Sequence, residues 1–162
     1  MKKFLKTLAV FAAVAALGFG FASCSDDDDD SASVLVAYSS TDSDGETGTI
    51  SFYSNKTYTM HMYSEITEHG MAITMDLDAE KGTYTGDPTK DGTVVCTSVS
   101  QVNGDKIEEL MKGLLASGSK SLTITNSNCP LVALDSSKVE MRKCTISGTT
   151  LTDNKGSKYT RK

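Results

Sequence analysis

Tryptophan is absent from the 162 residues, proline and histidine occur only twice each, and basic residues are outnumbered by acidic ones. Each shortage excludes something. Only Pro88 and Pro130 lack a backbone donor, so long stretches are free to pair as strands, and the abundance of Thr, Ser and Gly favours short strands joined by tight turns. With His61 and His69 as the only histidines, a catalytic triad or histidine metal site has little to draw on. Neither has a carboxylate or cysteine at ligand spacing, so both read as surface residues. A formal net charge of −5 gives no footprint for nucleic acid. No GxxxxGK[ST] or GxGxxG precedes a helix, and nucleophile-elbow and kinase signatures are missing. The sequence therefore names no catalytic residue, no metal and no cofactor.

What is present begins with a leader. Lys2, Lys3 and Lys6 precede an unbroken run of apolar and glycine residues from Leu8 to Phe21, and small residues then lead into Cys24. That order predicts a secretory signal peptide over residues 1–23. The run is too short for the roughly 20 residues that cross a ~30 Å hydrocarbon layer, and no later stretch replaces it, so a retained span is not expected. Phe21-Ala22-Ser23-Cys24 resembles a lipobox, where lipoprotein signal peptidase cuts before a diacylglyceryl cysteine. Phe21 in place of the usual leucine is similar to some spirochaete and Bacteroidetes-type lipoproteins. The resemblance implies lipidation of Cys24 and attachment to the cell envelope, with the outer membrane as the expected location and a periplasmic or surface-exposed face.

Residues 24–33 read as a tether, because the five aspartates Asp26 to Asp30 repel one another and stay solvated. Acidic residues after a lipidated cysteine also resemble the surface-export signal of some Bacteroidetes-type lipoproteins. Residues 34–162 are the length of one domain.

Two-residue alternation recurs through that domain, as in strands with one buried face. Met71, Ile73, Met75 and Leu77 alternate with Ala72, Thr74, Asp76 and Asp78. Tyr58, Met60 and Met62 alternate with polar residues, and Ile50 and Phe52 precede them across a turn at Ser54-Asn55-Lys56, where Asn55 suits a left-handed conformation. Further strands are expected over 34–38, 81–85, 93–99, 121–125, 138–145, 149–152 and 158–161. One segment breaks the pattern: Ile107, Leu110, Met111, Leu114 and Leu115 fall on one helix face, with Asp105 and Glu108 as a capping box and Gly118 as the stop. The expected fold is mainly β, an antiparallel meander of about 8–10 strands closing into a barrel or strongly curved sheet, with one short amphipathic helix over about 105–117.

Gly82-Thr83-Tyr84-Thr85-Gly86-Asp87, Asp91-Gly92-Thr93-Val94, Ile146-Ser147-Gly148-Thr149-Thr150-Leu151-Thr152 and Lys158-Tyr159-Thr160-Arg161 resemble the repeated hairpins of small lipocalin-like lipoproteins. The lipocalin Gly-x-Trp signature is absent. The resemblance implies a barrel architecture and carries over no functional residue.

Three cysteines follow Cys24, an odd number that leaves at least one thiol unpaired. Cys96 alternates in phase with Val94 and reads as a small buried residue, while Cys129 and Cys144 enclose a short loop and are the expected disulfide. Asp76, Asp78 and Glu80 are expected together on a solvated outer strand face, and Asp42-Ser43-Asp44-Gly45-Glu46 as an acidic hairpin loop rather than a full calcium loop.

Methionine is flexible and polarisable, suited both to irregular cores and to loosely specific apolar ligands. The leading expectation is thus a non-enzymatic, lipid-anchored barrel binding a small apolar ligand. Tyr58, Met60, Met62, Met71, Ile73, Met75 and Met141 would line the interior, with the helix as lid or plug. The alternatives are a surface interaction or adhesin-type protein with a solid barrel, meeting a protein or glycan through loops such as 41–48 and 126–130, and an envelope enzyme inhibitor. Small lipoprotein lysozyme inhibitors are similar in size and β character, but their inhibitory motif is not found here.

Replacing Cys24 with alanine is expected to abolish acylation, since no other cysteine follows a signal sequence. Metabolic labelling with a fatty acid that still marks Cys24→Ala would refute the assignment.

Overall fold

The structure is a computed structural model that describes residues 32–68 and 70–162. The leader 1–23, Cys24, the aspartate run and His69 lie outside the described residues. Ten strands form: β1 (Val34–Thr41), β2 (Thr47–Tyr53), β3 (Thr57–Glu68), β4 (Met71–Thr85), β5 (Gly92–Val102), β6 (Ser121–Ile124), β7 (Leu131–Ala133), β8 (Met141–Ser147), β9 (Thr150–Thr152) and β10 (Lys158–Arg161). Among the described residues a single α-helix, α1 (Gly104–Ser117), follows β5. Each of β1 to β5 and β8 to β10 pairs antiparallel with its predecessor, and β10 returns to β1, closing an eight-stranded up-and-down barrel. The expected choice between barrel and curved sheet is thereby resolved in favour of closure.

Closure rests on a short β1–β10 seam, Tyr38 opposite Arg161 and Ser39 opposite Thr160. Polar contacts reinforce it from below. The Tyr38 hydroxyl donates to the Pro88 carbonyl at 2.7 Å, and the Arg161 guanidinium reaches both the Tyr38 hydroxyl and the Thr89 carbonyl at 2.9 Å. The β4–β5 loop is thus folded under the barrel floor.

Most hairpins follow from local chemistry. In the β1–β2 loop, Asp42 accepts from the Asp44 and Glu46 amides at 2.9 Å while Gly45 takes a positive φ of 85°, so the Asp42 carboxylate serves as a ligand to the hairpin's own backbone. The β2–β3 turn departs from expectation. Lys56, not Asn55, is left-handed, with φ 66°, because the Asn55 carboxamide instead holds the Thr57 amide and hydroxyl.

β4 joins two stretches, 71–77 and 81–85, that the alternation separates. Its register against β3 slips at Ala79, an extra residue between the pairs Met60–Glu80 and His61–Asp78. The bulge reverses the phase: Ile73, Met75, Leu77 and Ala79 are buried, then Glu80, Gly82 and Tyr84. A strand whose pattern inverts midway looks like two strands. It also overturns the expectation for Glu80, which does not share the outer face of Asp76 and Asp78 but is 5% exposed.

The segment between β5 and β8 is an insertion in the meander. Asn103 caps α1 by accepting from the Asp105 and Lys106 amides, displacing the cap expected at Asp105, and Gly118 ends the helix in the left-handed region. β6 then pairs parallel with the first half of β4, and β7 with the end of β5.

Two apolar clusters result. The first fills one end of the barrel with Tyr38, Phe52, Tyr58, Tyr84 and Tyr159 among Ile50, Val94, Cys96, Cys144, Ile146 and Leu151. Phe52 meets Tyr84 edge-on at 5.0 Å between ring centroids. The second lies under α1 and joins Met75, Leu77, Ala79, Ile124 and Cys129 to Ile107.

Gly82 fixes the close approach of β4 to β5. A Cβ there would stand 2.0 Å from the Thr97 carbonyl oxygen and 2.7 Å from the Tyr58 ring. Because backbone has to move, Gly82→Ala is expected to destabilise the domain by about 3 kcal/mol in denaturant unfolding. An unchanged midpoint would mean that the two strands do not approach this closely.

Candidate functional site

Between the two apolar clusters lies a layer of polar side chains. Glu80, turned inward by the bulge, receives the Tyr58 hydroxyl on one carboxylate oxygen and the Arg142 guanidinium on the other, the latter at 2.9 Å. Arg142 comes from β8, where it alternates inward with Cys144 and Ile146, and its second terminal nitrogen lies 3.4 Å from the Met60 sulfur. Ser98 is 2% exposed, and its hydroxyl accepts from Gln101 at 3.2 Å. Away from this layer, Ser64 is fully buried on β3 opposite Met75 of the second cluster, and its hydroxyl oxygen has no hydrogen-bond partner.

A buried charge is tolerated when it is paired and its remaining lone pairs are satisfied. Glu80 meets both conditions, since each oxygen is committed to a neighbour. Burial, together with the adjacent Glu80 charge and hydrogen bond, pushes the Tyr58 hydroxyl far above the ordinary tyrosine range. A tyrosine that keeps its proton and a carboxylate already holding two donors form a structural lock rather than an acid–base pair.

The residues expected to line one cavity are distributed over the molecule. Tyr58 and Met60 belong to the aromatic end, Met62 and Met75 to the cluster under α1, and Ile73 is buried nearby on β4. Met71 instead borders a surface groove of about 270 Å³ with Gly70, Leu114, Leu115, Gly118, Ser119 and Lys120. Met141 must be withdrawn from the set. It is 69% exposed, because β8 turns Arg142, Cys144 and Ile146 inward and Met141 with Lys143 outward. The alternation of Cys144 and Ile146 carried that phase, but placing a methionine inside and an arginine outside obscured it.

The expected disulfide is also corrected. Cys129 sits in the cluster under α1 and Cys144 in the aromatic end, and Cys96, Cys129 and Cys144 are all buried free thiols. The Cys129 thiol lies 3.7 Å from the Asn103 carbonyl at the start of α1.

On the outer face, the β3–β4 register assembles a group that linear spacing does not reveal. His61 lies 3.1 Å from Asp76 through Nε2 and 3.2 Å from Asp78 through Nδ1, and Lys81 reaches Asp78 at 3.3 Å. These groups are partly solvated, and among the described residues no cluster of His, Cys, Asp and Glu has the arrangement to hold a metal ion.

The fold and interior define a closed eight-stranded antiparallel barrel with one helix. Comparison with protein-family models, with curated proteins and with solved structures gives no match in any of the three.

Arg142→Met is expected to cost roughly 3–5 kcal/mol, since it leaves Glu80 buried without its counter-charge. The double variant Glu80→Leu with Arg142→Met should recover most of that loss. Thermal melts that show the double variant no better than the single would mean the pair is not coupled.

Proposed function

We propose that this chain is a non-enzymatic binding module of the bacterial cell envelope, anchored by a lipid on Cys24 and taking up a small apolar ligand beneath α1. In this reading it is a lipocalin-like lipoprotein, held off the outer membrane by its acidic tether. The observation that carries the reading is the unequal packing of the two clusters. Among the described residues, the partly buried apolar side chains packed against the aromatic end are Val36 and Met60, whereas under α1 they are Met62, Val102, Leu110, Met111 and Leu122.

An apolar guest needs a surface that can part at small cost. Methionines and leucines at the margin of a helix repack with little loss, while interlocked rings at the far end do not. The ligand is therefore assigned to the space between α1 and the inner faces of β3, β4 and β6. The helix acts as lid, with Asn103 and Gly118 at its two ends. The polar layer around Glu80 forms the floor.

Native mass spectrometry of the lipidated protein isolated from its envelope tests this. The expected result is an apolar adduct released on denaturation and lost in Met111→Glu. A bare mass in protein from its own source would overturn the reading in favour of a solid barrel that meets a protein or glycan through its loops.

A further inference from the structure

Cys96 and Cys144 occupy adjacent strands, and their register brings them together. In the β5–β8 ladder Val94 stands opposite Cys144 and Cys96 opposite Arg142, so the two cysteines are diagonal neighbours on the inner face. Both are essentially unexposed and belong to the same cluster. Interaction with the Cys144 thiol, together with burial, pushes the Cys96 thiol well above its usual range. Cys129, the third cysteine, is held apart in the cluster under α1.

We propose that Cys96 and Cys144 are a modification site that closes to an intramolecular disulfide when the chain folds in the presence of a disulfide oxidant. Diagonal positions on neighbouring antiparallel strands lie about 7–8 Å apart with their Cβ atoms somewhat closer, just outside the usual disulfide span, so the bond requires β5 and β8 to draw together locally. The reaction is thiol–disulfide exchange with a small-molecule disulfide such as oxidised glutathione. One cysteine thiolate attacks the external disulfide and expels a first glutathione thiolate. The second cysteine then attacks the mixed disulfide, forming the Cys96–Cys144 bond and expelling a second. The two cysteine protons end on the two glutathiones, and the two electrons reduce the external disulfide.

The folded barrel admits no reagent to either sulfur, so the exchange belongs to the unfolded or partly folded chain, and the β5–β8 register selects the pair. The bond would join the strands that flank the insertion bearing α1, β6 and β7. It would hold the barrel wall shut whatever α1 does. This inference does not depend on the ligand assignment.

Refolding the full chain in a glutathione redox buffer, followed by alkylation under denaturing conditions without reduction, tests the proposal on the unaltered sequence. Trypsin places the three cysteines on the separate segments 91–106, 121–138 and 144–155. The expected product links 91–106 to 144–155 and leaves Cys129 alkylated. It should melt about 5–15 °C above the reduced form, with dithiothreitol abolishing the difference. Alkylation of all three cysteines, or a link that uses Cys129 or Cys24, would overturn the assignment.

Discussion

The Glu80–Arg142 ion pair crosses the barrel interior over β5, from β4 on one side to β8 on the other, and the rest of the architecture is arranged around it. A carboxylate reaches that position only because Ala79 is one residue too many for the β3 ladder. With the bulge, the two halves of β4 present their apolar side chains to different clusters, one aromatic and one aliphatic. Without it, either Glu80 or the Met75–Leu77 stretch would face the wrong side of the sheet. The bulge, the ion pair and the division of the core are one device.

That division gives the domain two mechanical characters. The aromatic end is closed by edge-on rings and by the Tyr38–Pro88–Arg161 contacts, so it should open only with global unfolding. The other end is closed by a helix that buries Ile107 and Leu114 but leaves Leu110 and Met111 half-buried, and such elements open at lower free energy than the barrel they sit on. The proposed ligand uptake relies on this gradient, and the proposed disulfide lies on the rigid side of it.

Strand alternation and the helix face were legible from residue order because they are local periodicities. Met71 to Leu77, Tyr58 to Met62 and Ile107 to Leu115 needed no knowledge of their neighbours. The floor of the site was not legible in this way. Glu80 read as one more outward acid, since a bulge is set by the partner strand and leaves no period of its own. Arg142 read as outward because a charge is seldom buried unless its partner is known, and that partner lies 62 residues away. The same holds for Cys144, whose neighbour is chosen by strand register and not by the shorter loop back to Cys129.

The rim of the barrel is uneven. β4 runs past the point where β5 leaves it, and β5 runs past the point where β8 leaves it, so each projects a length of unpaired backbone. β6 lies against the first of these edges and β7 against the second, each matching only the few residues left bare. Both come from the insertion that carries α1. Shortening that insertion would therefore uncover two ready templates for strand addition, and copies of the domain would be prone to join edge to edge into polymers. The segment that carries α1 is also what covers both edges.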